Sequence, residues 1–339
     1  MASKMRFAVI GTGGFGSRRV RAVPESGGEL VCLGDLDEKR VSEMAKEFGC
    51  DYTKNYLEIT KRNDIDTVII STPNKFHSPI TIAALNAGKH VICEKPLARN
   101  PVEARKMVDA AKKNKVFLKT GSNLRYFSNV KKAKELVDKK AIGKPLFVRG
   151  WIGHDGKRVL HSWNANPDIA GGGTLLDNGA HIIDLFRWFV GDFSSCAGRV
   201  DTLNLPIKVE DNGMGIYWTK DGRMASIQAS WTEWSGYMYL EIYGPKGSVT
   251  IDNRGERTTG TGQWMVTSNT VYTTPDGTRQ VFDYSSERPQ SYTLELKDFI
   301  KRVNKGQQPM ASGYDGMKVV EMIHGAYESS KTGRIVKLA

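Results

Sequence analysis

Apolar runs of a few residues, rich in β-branched side chains, alternate with amphipathic stretches through the first third of the chain. The runs fall at 7–10, 30–33, 67–70, 90–93 and 116–118, and the apolar spacing between them predicts helices near 14–23, 37–48, 55–62, 76–87 and 101–114. Strand and helix alternating in this way is the pattern of βαβ units on a parallel sheet. The helix at 101–114 has a marked start, since Asn100 can cap it, Pro101 suits its first turn and Glu103 completes a capping-box arrangement. Gly88 is placed to stop the helix before it.

Beyond Arg125 the texture changes. Helical spacing at 128–140 and 174–190 gives way, from Cys196 to Tyr284, to closely spaced alternating runs. Turn signals separate them: Asp221-Gly222, Pro245-Lys246-Gly247, Asn253-Arg254-Gly255 and Pro275-Asp276-Gly277. That pattern predicts a large, mainly antiparallel, open sheet. Helices near 289–304 and 313–331 close the chain. The expected class is α/β, with a doubly wound parallel sheet in a domain over 1–122 and a second α/β domain over 123–339. A length of 339 residues suits two domains.

Composition removes several classes. No run approaches the roughly 20 apolar residues of a membrane span, and residues 1–6 lead into a strand instead of a secretory apolar core, so a cytoplasmic protein without a membrane partner is expected. Cys32, Cys50, Cys93 and Cys196 are far apart with no C-x-x-C pair, which points to reduced thiols and to neither a zinc cage nor a disulfide framework. The net charge is +12. Its densest stretch, Lys131, Lys132, Lys134, Lys139, Lys140 and Lys144, is interrupted by Glu135 and Asp138 and fits a wet helix face. With no groove-reading motif, a nucleic-acid partner is not expected.

Three stretches carry candidate chemistry. Gly11, Gly13 and Gly16 stand in G-x-G-x-x-G spacing, with Thr12, Gly14 and Phe15 between them, directly behind the first apolar run, and Asp35 closes the second. One glycine turns the chain, one lets backbone amides approach a pyrophosphate and one lets helix pack on strand, while Asp35 accepts from a ribose diol. A glycine triplet alone is weak in a chain with 35 glycines; the strand before it, the helix after it and the acid at the right remove make it a dinucleotide site of Rossmann type. Next, Glu94-Lys95-Pro96 ends the run at 90–93, where an open parallel sheet presents side chains to its ligand crevice. Finally, Gly171-Gly172-Gly173 leads into a helix with Asp177, His181 and Asp184 at i, i+4 and i+7 on one face. A histidine between two carboxylates suits proton transfer near neutral pH. A metal site and a plainly solvated helix surface are the alternatives; the company of a nucleotide crevice and a lysine favours acid–base work.

All seven tryptophans lie in the second part, and packing is the default role for them. Trp163 is the exception, in a polar loop whose His154, Asp155, Arg158, Asn164 and Asn166 are candidates to bind a polyhydroxylated substrate. Between 213 and 243 the strands carry Tyr217, Trp218, Trp231, Trp234, Tyr237, Tyr239 and Tyr243, enough aromatic surface to predict a subunit interface.

The chain resembles the Gfo/Idh/MocA family, the glucose–fructose oxidoreductase and inositol dehydrogenase group. The matching features are the Gly11–Gly16 loop, Ser71-Thr72-Pro73-Asn74 with His77, the stretch 88–96 ending in Glu94-Lys95-Pro96, Asn123-Leu124-Arg125-Tyr126, Gly143-Lys144-Pro145 and the glycine-led helix of Asp177, His181 and Asp184. The resemblance implies NAD as cofactor, with Ser71, Thr72, Pro73, Asn74, His77, Glu94 and Lys95 joining the glycine loop and Asp35 in holding it. It implies Lys95, Asp177 and His181 as catalytic residues, and adds Arg125 and Tyr126 to the substrate side, where His154, Arg158, Trp163, Asn166, Asp177 and His181 also belong. A cis peptide before Pro96 and a homodimer or homotetramer built on the open sheet follow from it too. The expected reaction is oxidation of a secondary hydroxyl of a sugar, glycoside, cyclitol or sugar nucleotide. The alternatives are an NAD-using glycoside-cleaving lyase or hydrolase and a non-catalytic NAD-binding regulator.

Overall fold

The computed structural model describes residues 4–234, 236–257, 264–287 and 290–338; the side chains of Tyr237 and Trp264, and position 289 where a helix was expected to begin, lie outside the described part. Two compact units result: Met1–Asn123 with Gln290–Lys318, and Leu124–Pro289 with Val319–Ala339. The first unit thus includes residues on the far side of a 122/123 boundary, because the chain returns to it near its end. Apolar burial explains the return, as Leu296 and Phe299 are fully enclosed with Phe7, Val20, Val23 and Leu33.

The first unit runs β1 (Arg6–Ile10), α1 (Gly14–Glu25), β2 (Glu29–Gly34), α2 (Glu38–Phe48), β3 (Asp51–Thr53), α3 (Tyr56–Lys61), β4 (Thr67–Ile70), α4 (His77–Asn86), β5 (His90–Glu94), α5 (Pro101–Asn114) and β6 (Leu118–Gly121). The strands form a parallel sheet in the order β3-β2-β1-β4-β5-β6. Every residue of β4 is buried, as a strand covered on both faces requires. The order reverses between β1 and β4, which opens the crevice where doubly wound sheets hold ligands. Two details departed from expectation. β3 is a polar, largely exposed edge strand with no apolar signature, and β6 starts late because Lys115 takes a left-handed turn (φ 56°) after α5. Asn100 does cap α5, accepting the Glu103 amide at 2.9 Å.

The second unit holds α6 (Ser128–Asp138), β7 (Phe147–Gly153), α7 (Pro167–Ala170), α8 (Thr174–Asp177), α9 (Gly179–Val190), β8 (Ser195–Asp201), β9 (Asn212–Trp218), β10 (Met224–Ser230), β11 (Tyr237–Gly244), β12 (Gly247–Arg257), β13 (Trp264–Val266), β14 (Asn269–Thr273) and β15 (Arg279–Asp283). After α10 (Ser291–Val303) in the first unit, α11 (Gly313–Thr332) leads back to β16 (Val336–Lys337). The sheet order is β15-β14-β12-β11-β7-β10-β9-β8-β16, with β13 on β12. Neighbours are antiparallel except β7 and β10. β7 runs to Gly153, directly before the polar segment that begins at His154. One sheet face is buried under α9 and the later part of α11, with Ile182, Phe186, Leu240, Ile242, Val319 and Ile323 enclosed together.

The opposite face carries rows of side chains in register. Trp218, Met224, Phe147 and Tyr243 form one row, Ile216, Ser226, Arg149 and Glu241 the next, and Met214, Gln228, Trp151 and Tyr239 a third. Phe147 stacks on Tyr243 at 4.5 Å and Trp151 meets Tyr239 at 5.3 Å, while Met214, Ile216 and Met224 are about half exposed. Tyr217 and Trp231 do not belong to this surface. Both are fully buried, Tyr217 in the main core because it alternates to the inner face, and Trp231 in a satellite cluster with Val159 and Val209. Among the described residues no helix is long and apolar enough to cross a membrane. The basic stretch runs along α6 and past its end, and Lys132, Lys134 and Lys139 pair with Glu135 and Asp138 at helical spacing.

Candidate active site

At the carboxyl ends of β1 and β4 the glycine loop folds onto its neighbour. Gly11 has φ 88°, and a Cβ there would collide with the Ser71 carbonyl; one at Gly16 would collide with the Gly11 carbonyl. Gly13 and Gly14 by contrast face open space, and no side chain caps the start of α1. A helix start with no side-chain cap and open space beside its glycines is what a pyrophosphate needs. Beside them the Ser71 and Thr72 hydroxyls are buried with no hydrogen-bond partner, polar groups that a ligand would satisfy. The residues present therefore fit a bound dinucleotide.

Asp35, at the end of this crevice, is already saturated. Its Oδ2 accepts the Thr12 amide at 2.7 Å and the Thr12 hydroxyl at 2.9 Å, and its Oδ1 accepts the Asp37 amide at 3.0 Å and Arg40 Nη2 at 2.8 Å. Burial pushes its pKa up, but these donors outweigh that and hold it below the usual carboxylate range. Four bonds fill a carboxylate's acceptor sites, so a ribose diol displaces at least one of them. Arg40, which reaches Asp35 through an exposed side chain where Asp37 gives a backbone amide and Thr12 is buried, is the one free to yield.

His77 has a different place from the one expected. It is 1% exposed, with Nδ1 2.9 Å from the Pro96 carbonyl and Nε2 2.9 Å from the Thr72 carbonyl. Burial pushes its pKa down against the pull of those carbonyls. It ties the loop after β4 to the loop after β5, with both ring nitrogens facing backbone carbonyls. Asn74 is likewise buried, and the Lys95–Pro96 bond is cis.

A charge cluster that the sequence reading missed holds Glu94. Arg19, fully buried on α1, donates through Nε to Glu94 at 2.6 Å and through Nη1 to Glu295 of α10, whose other oxygen meets Lys119 at 2.8 Å. The Tyr292 ring covers the guanidinium at 4.5 Å. Burial pushes the Glu295 pKa up, yet Arg19 and Lys119 outweigh it and keep the carboxylate ionised. Two cations and two anions thus fix the carboxylate next to Lys95, whose own amide lies 3.3 Å from Glu94 Oε2.

In the second unit the helix expected over 174–190 is divided at Asn178, which keeps helical angles (φ −76°, ψ −43°) while the next bond tightens, His181 N–H to Asn178 O at 3.1 Å. Asp177 and His181 remain half-buried while Leu175, Leu176, Ile182 and Ile183 are enclosed. Asp184, the third member of the stripe, is committed elsewhere: Arg125 Nε and Nη2 grip its two oxygens at 2.8 and 2.7 Å in a pair 4% exposed on both sides. Arg125 also lies over Trp188, and Tyr126 is 4% exposed. Both are thus buried, and Arg125 commits Nε and Nη2 to Asp184. The other candidates sit in the segment after β7. Arg158 is exposed and Trp163 half-buried in a single turn. His154 Nδ1 accepts the Gly156 amide at 3.0 Å, and Asn166 spends its side-chain oxygen capping α7, at 3.0 Å from the Asp168 amide.

Comparison with known proteins agrees with this geometry. Residues 5–122 match the model of the Gfo/Idh/MocA oxidoreductase family, NAD-binding Rossmann fold, and residues 134–338 match that of the family's C-terminal alpha/beta domain. The chain is 30% identical to myo-inositol 2-dehydrogenase of Thermotoga maritima, over 98% of each protein. It is 27% identical to scyllo-inositol 2-dehydrogenase (NAD(+)) of Bacillus subtilis, over 100% of this chain and 97% of that one. Among solved structures, a levoglucosan dehydrogenase in complex with NADH and levoglucosan superposes with a TM-score of 0.86 at 27% identity, covering 99% of this chain and 100% of the other.

Proposed function

The chain belongs to the Gfo/Idh/MocA oxidoreductase family, and from that premise we propose that it oxidises a secondary hydroxyl of a cyclitol or a sugar in its ring form, using NAD. The observation that carries the reading is the orphaned pair of hydroxyls, Ser71 and Thr72, beside the open glycines Gly13 and Gly14. Relatives acting on inositols and levoglucosan support the substrate class.

NAD supplies the hydride acceptor. His181 takes the proton of the reacting hydroxyl, imidazole being the side chain that exchanges protons near neutral pH. Lys95 places an ammonium against the alkoxide as it develops. Asp177 orients the imidazole and a neighbouring hydroxyl. His154, Arg158 and Trp163 serve the remaining hydroxyls and the apolar ring face. The experiment is NAD reduction at 340 nm with myo-inositol, scyllo-inositol, levoglucosan and common aldoses. Turnover of at least one ring polyol is expected. Inactivity on all of them together with activity on a linear 2-hydroxy acid would remove the proposal, and product without net NADH would favour the lyase reading.

NAD is expected over NADP because a 2′-phosphate meets the like charge of Asp35 and forfeits the diol contact. Arg40 is the counterweight: released from Asp35, its guanidinium could receive that phosphate. Asp35→Ser should therefore move the ratio of kcat/KM values toward NADP by about tenfold or more, each tenfold being about 1.4 kcal/mol. A wild-type preference for NADP, or an unchanged ratio in the variant, would reject the assignment.

The half-exposed rows of Met214, Ile216, Met224, Trp218 and Trp151 support a homodimer or homotetramer built on the open sheet face. Light scattering should give a multiple of the 37.6 kDa chain mass, and Ile216→Lys should lower it while leaving NADH affinity intact. A wild-type mass of one chain would end this part of the proposal.

A further inference from the structure

We propose that Glu210, together with Tyr327, is a positioning residue that fixes the turn bearing Asp177 and His181; the inference rests on the assignment of those two residues to the reaction. Glu210 lies just before β9. Its backbone carbonyl accepts the Thr174 amide at 3.0 Å, its Oε2 accepts the Gly173 amide at 2.6 Å, and its Oε1 accepts the Leu175 amide at 3.1 Å and the Tyr327 hydroxyl at 2.7 Å. Three successive amides at the start of α8 thus end on one residue remote in sequence. α8 has only four residues, and its own N-cap, Gly173, supplies no side-chain bond. Glu210 provides from a distance what a serine or aspartate cap provides locally.

The glycines of this stretch fit the same account. A Cβ at Gly173 would collide with the Glu210 backbone, and one at Gly172 with the Tyr327 hydroxyl. The bare backbone of Gly172 and Gly173 makes room for the Tyr327 phenol and the Glu210 main chain. Burial pushes the Tyr327 hydroxyl well above its ordinary pKa, so it stays a donor. Burial also pushes the Glu210 carboxyl up, and the bonds that its oxygens accept from Tyr327, Gly173 and Leu175, with its own backbone amide, oppose that.

Only one hydrogen-bond step separates the clamp from the proposed chemistry. The Asp177 amide donates to the Gly173 carbonyl at 2.9 Å and the Asn178 amide to the Thr174 carbonyl at 2.8 Å. Residues 173 and 174 therefore carry Glu210 on their amides and the turn of Asp177 and Asn178 on their carbonyls. His181 follows one bond later, on the Asn178 carbonyl. A shift at residues 173–175 moves both side chains, and a misplacement of an ångström is enough to cost rate heavily.

The test is a double-mutant cycle on the full chain, read as NAD reduction with the ring polyol that the wild type turns over fastest. Glu210→Gln puts one acceptor where two stood and sets an amide N–H₂ against a backbone N–H; kcat should fall about tenfold or more with the KM for NAD within twofold. Tyr327→Phe removes a single bond and should cost kcat a few-fold. On a His181→Ala background each should cost clearly less than in the wild type, only the share that passes through Asp177 remaining, because residues that act as a unit are non-additive. Full additivity on that background, or unchanged kcat in Tyr327→Phe should Glu210→Gln fail to fold, overturns the clamp. Wild-type turnover in His181→Ala would instead overturn the catalytic assignment, and the clamp's route with it.

Discussion

Lys95→Ala and His181→Ala are each expected to lower turnover by about 100-fold or more, the usual cost of losing a positioned acid–base group or a charge aimed at a developing oxyanion. NADH affinity should hardly change, because the groups offered to the dinucleotide are the amides after Gly13, the Ser71 and Thr72 hydroxyls and Asp35. The two variants should differ in kind. An exogenous imidazole or amine base can partly replace a proton acceptor, so His181→Ala is expected to recover some rate in imidazole buffer, whereas Lys95→Ala is not. Lys95→Arg keeps the charge on a longer, planar head and should recover little if a compact ammonium is what the oxygen needs. Single-turnover absorbance at 340 nm separates the chemical step from product release. Either alanine variant turning over within a few-fold of wild type on the true substrate would show that the chemistry does not rest on that residue.

The parallel sheet was legible because its strands are buried on both faces and so read as continuous apolar runs, and because glycines, caps and an acid sit at fixed offsets from them. The edge strand β3 carried no such signal, since exposed polar residues can take any conformation the neighbouring strand imposes. The return of residues 290–318 to the first unit was invisible for a related reason: an amphipathic helix such as α10 states that it has a buried face and not which core buries it. In the site, the motif positions were found and their supports were not. Arg19, Lys119 and Glu295 stand where the pattern calls for apolar residues: Arg19 on the face of Val23, Glu295 on the face of Phe299, and Lys119 in a strand buried on both faces. A charge in an apolar phase is a readable sign of a buried ion pair, but its partner is fixed only by topology. Arg125 and Asp184 show the converse: each looked like a ligand group, and the fold spends each on the other.

Arg19→Met is the substitution expected to damage stability most. The side chain is fully enclosed and serves two carboxylates, Glu94 and Glu295, the second of them also fully enclosed. Methionine fills much of the volume, so packing loss is small. What remains is Glu295 facing Lys119 alone and Glu94 without its cation, and breaking a buried pair by removing one partner typically costs about 3–5 kcal/mol. The pH dependence carries the diagnosis. In the wild type the Glu295 pKa is held down, so its contribution is present above the ordinary glutamate pKa and fades as the pH falls through the depressed value. In Arg19→Met burial prevails, the pKa of that carboxyl rises, and protonation relieves the unpaired charge. The gap in melting temperature between variant and wild type should therefore be wide at pH 7 and narrower near pH 4.5. Arg19→Met combined with Glu295→Met leaves Glu94 and Lys119, one charge of each sign, and should be less damaged than the sum of the single changes. A gap that stays constant with pH, or strict additivity in the double variant, would mean that Arg19 acts through packing and not as the centre of a charge cluster.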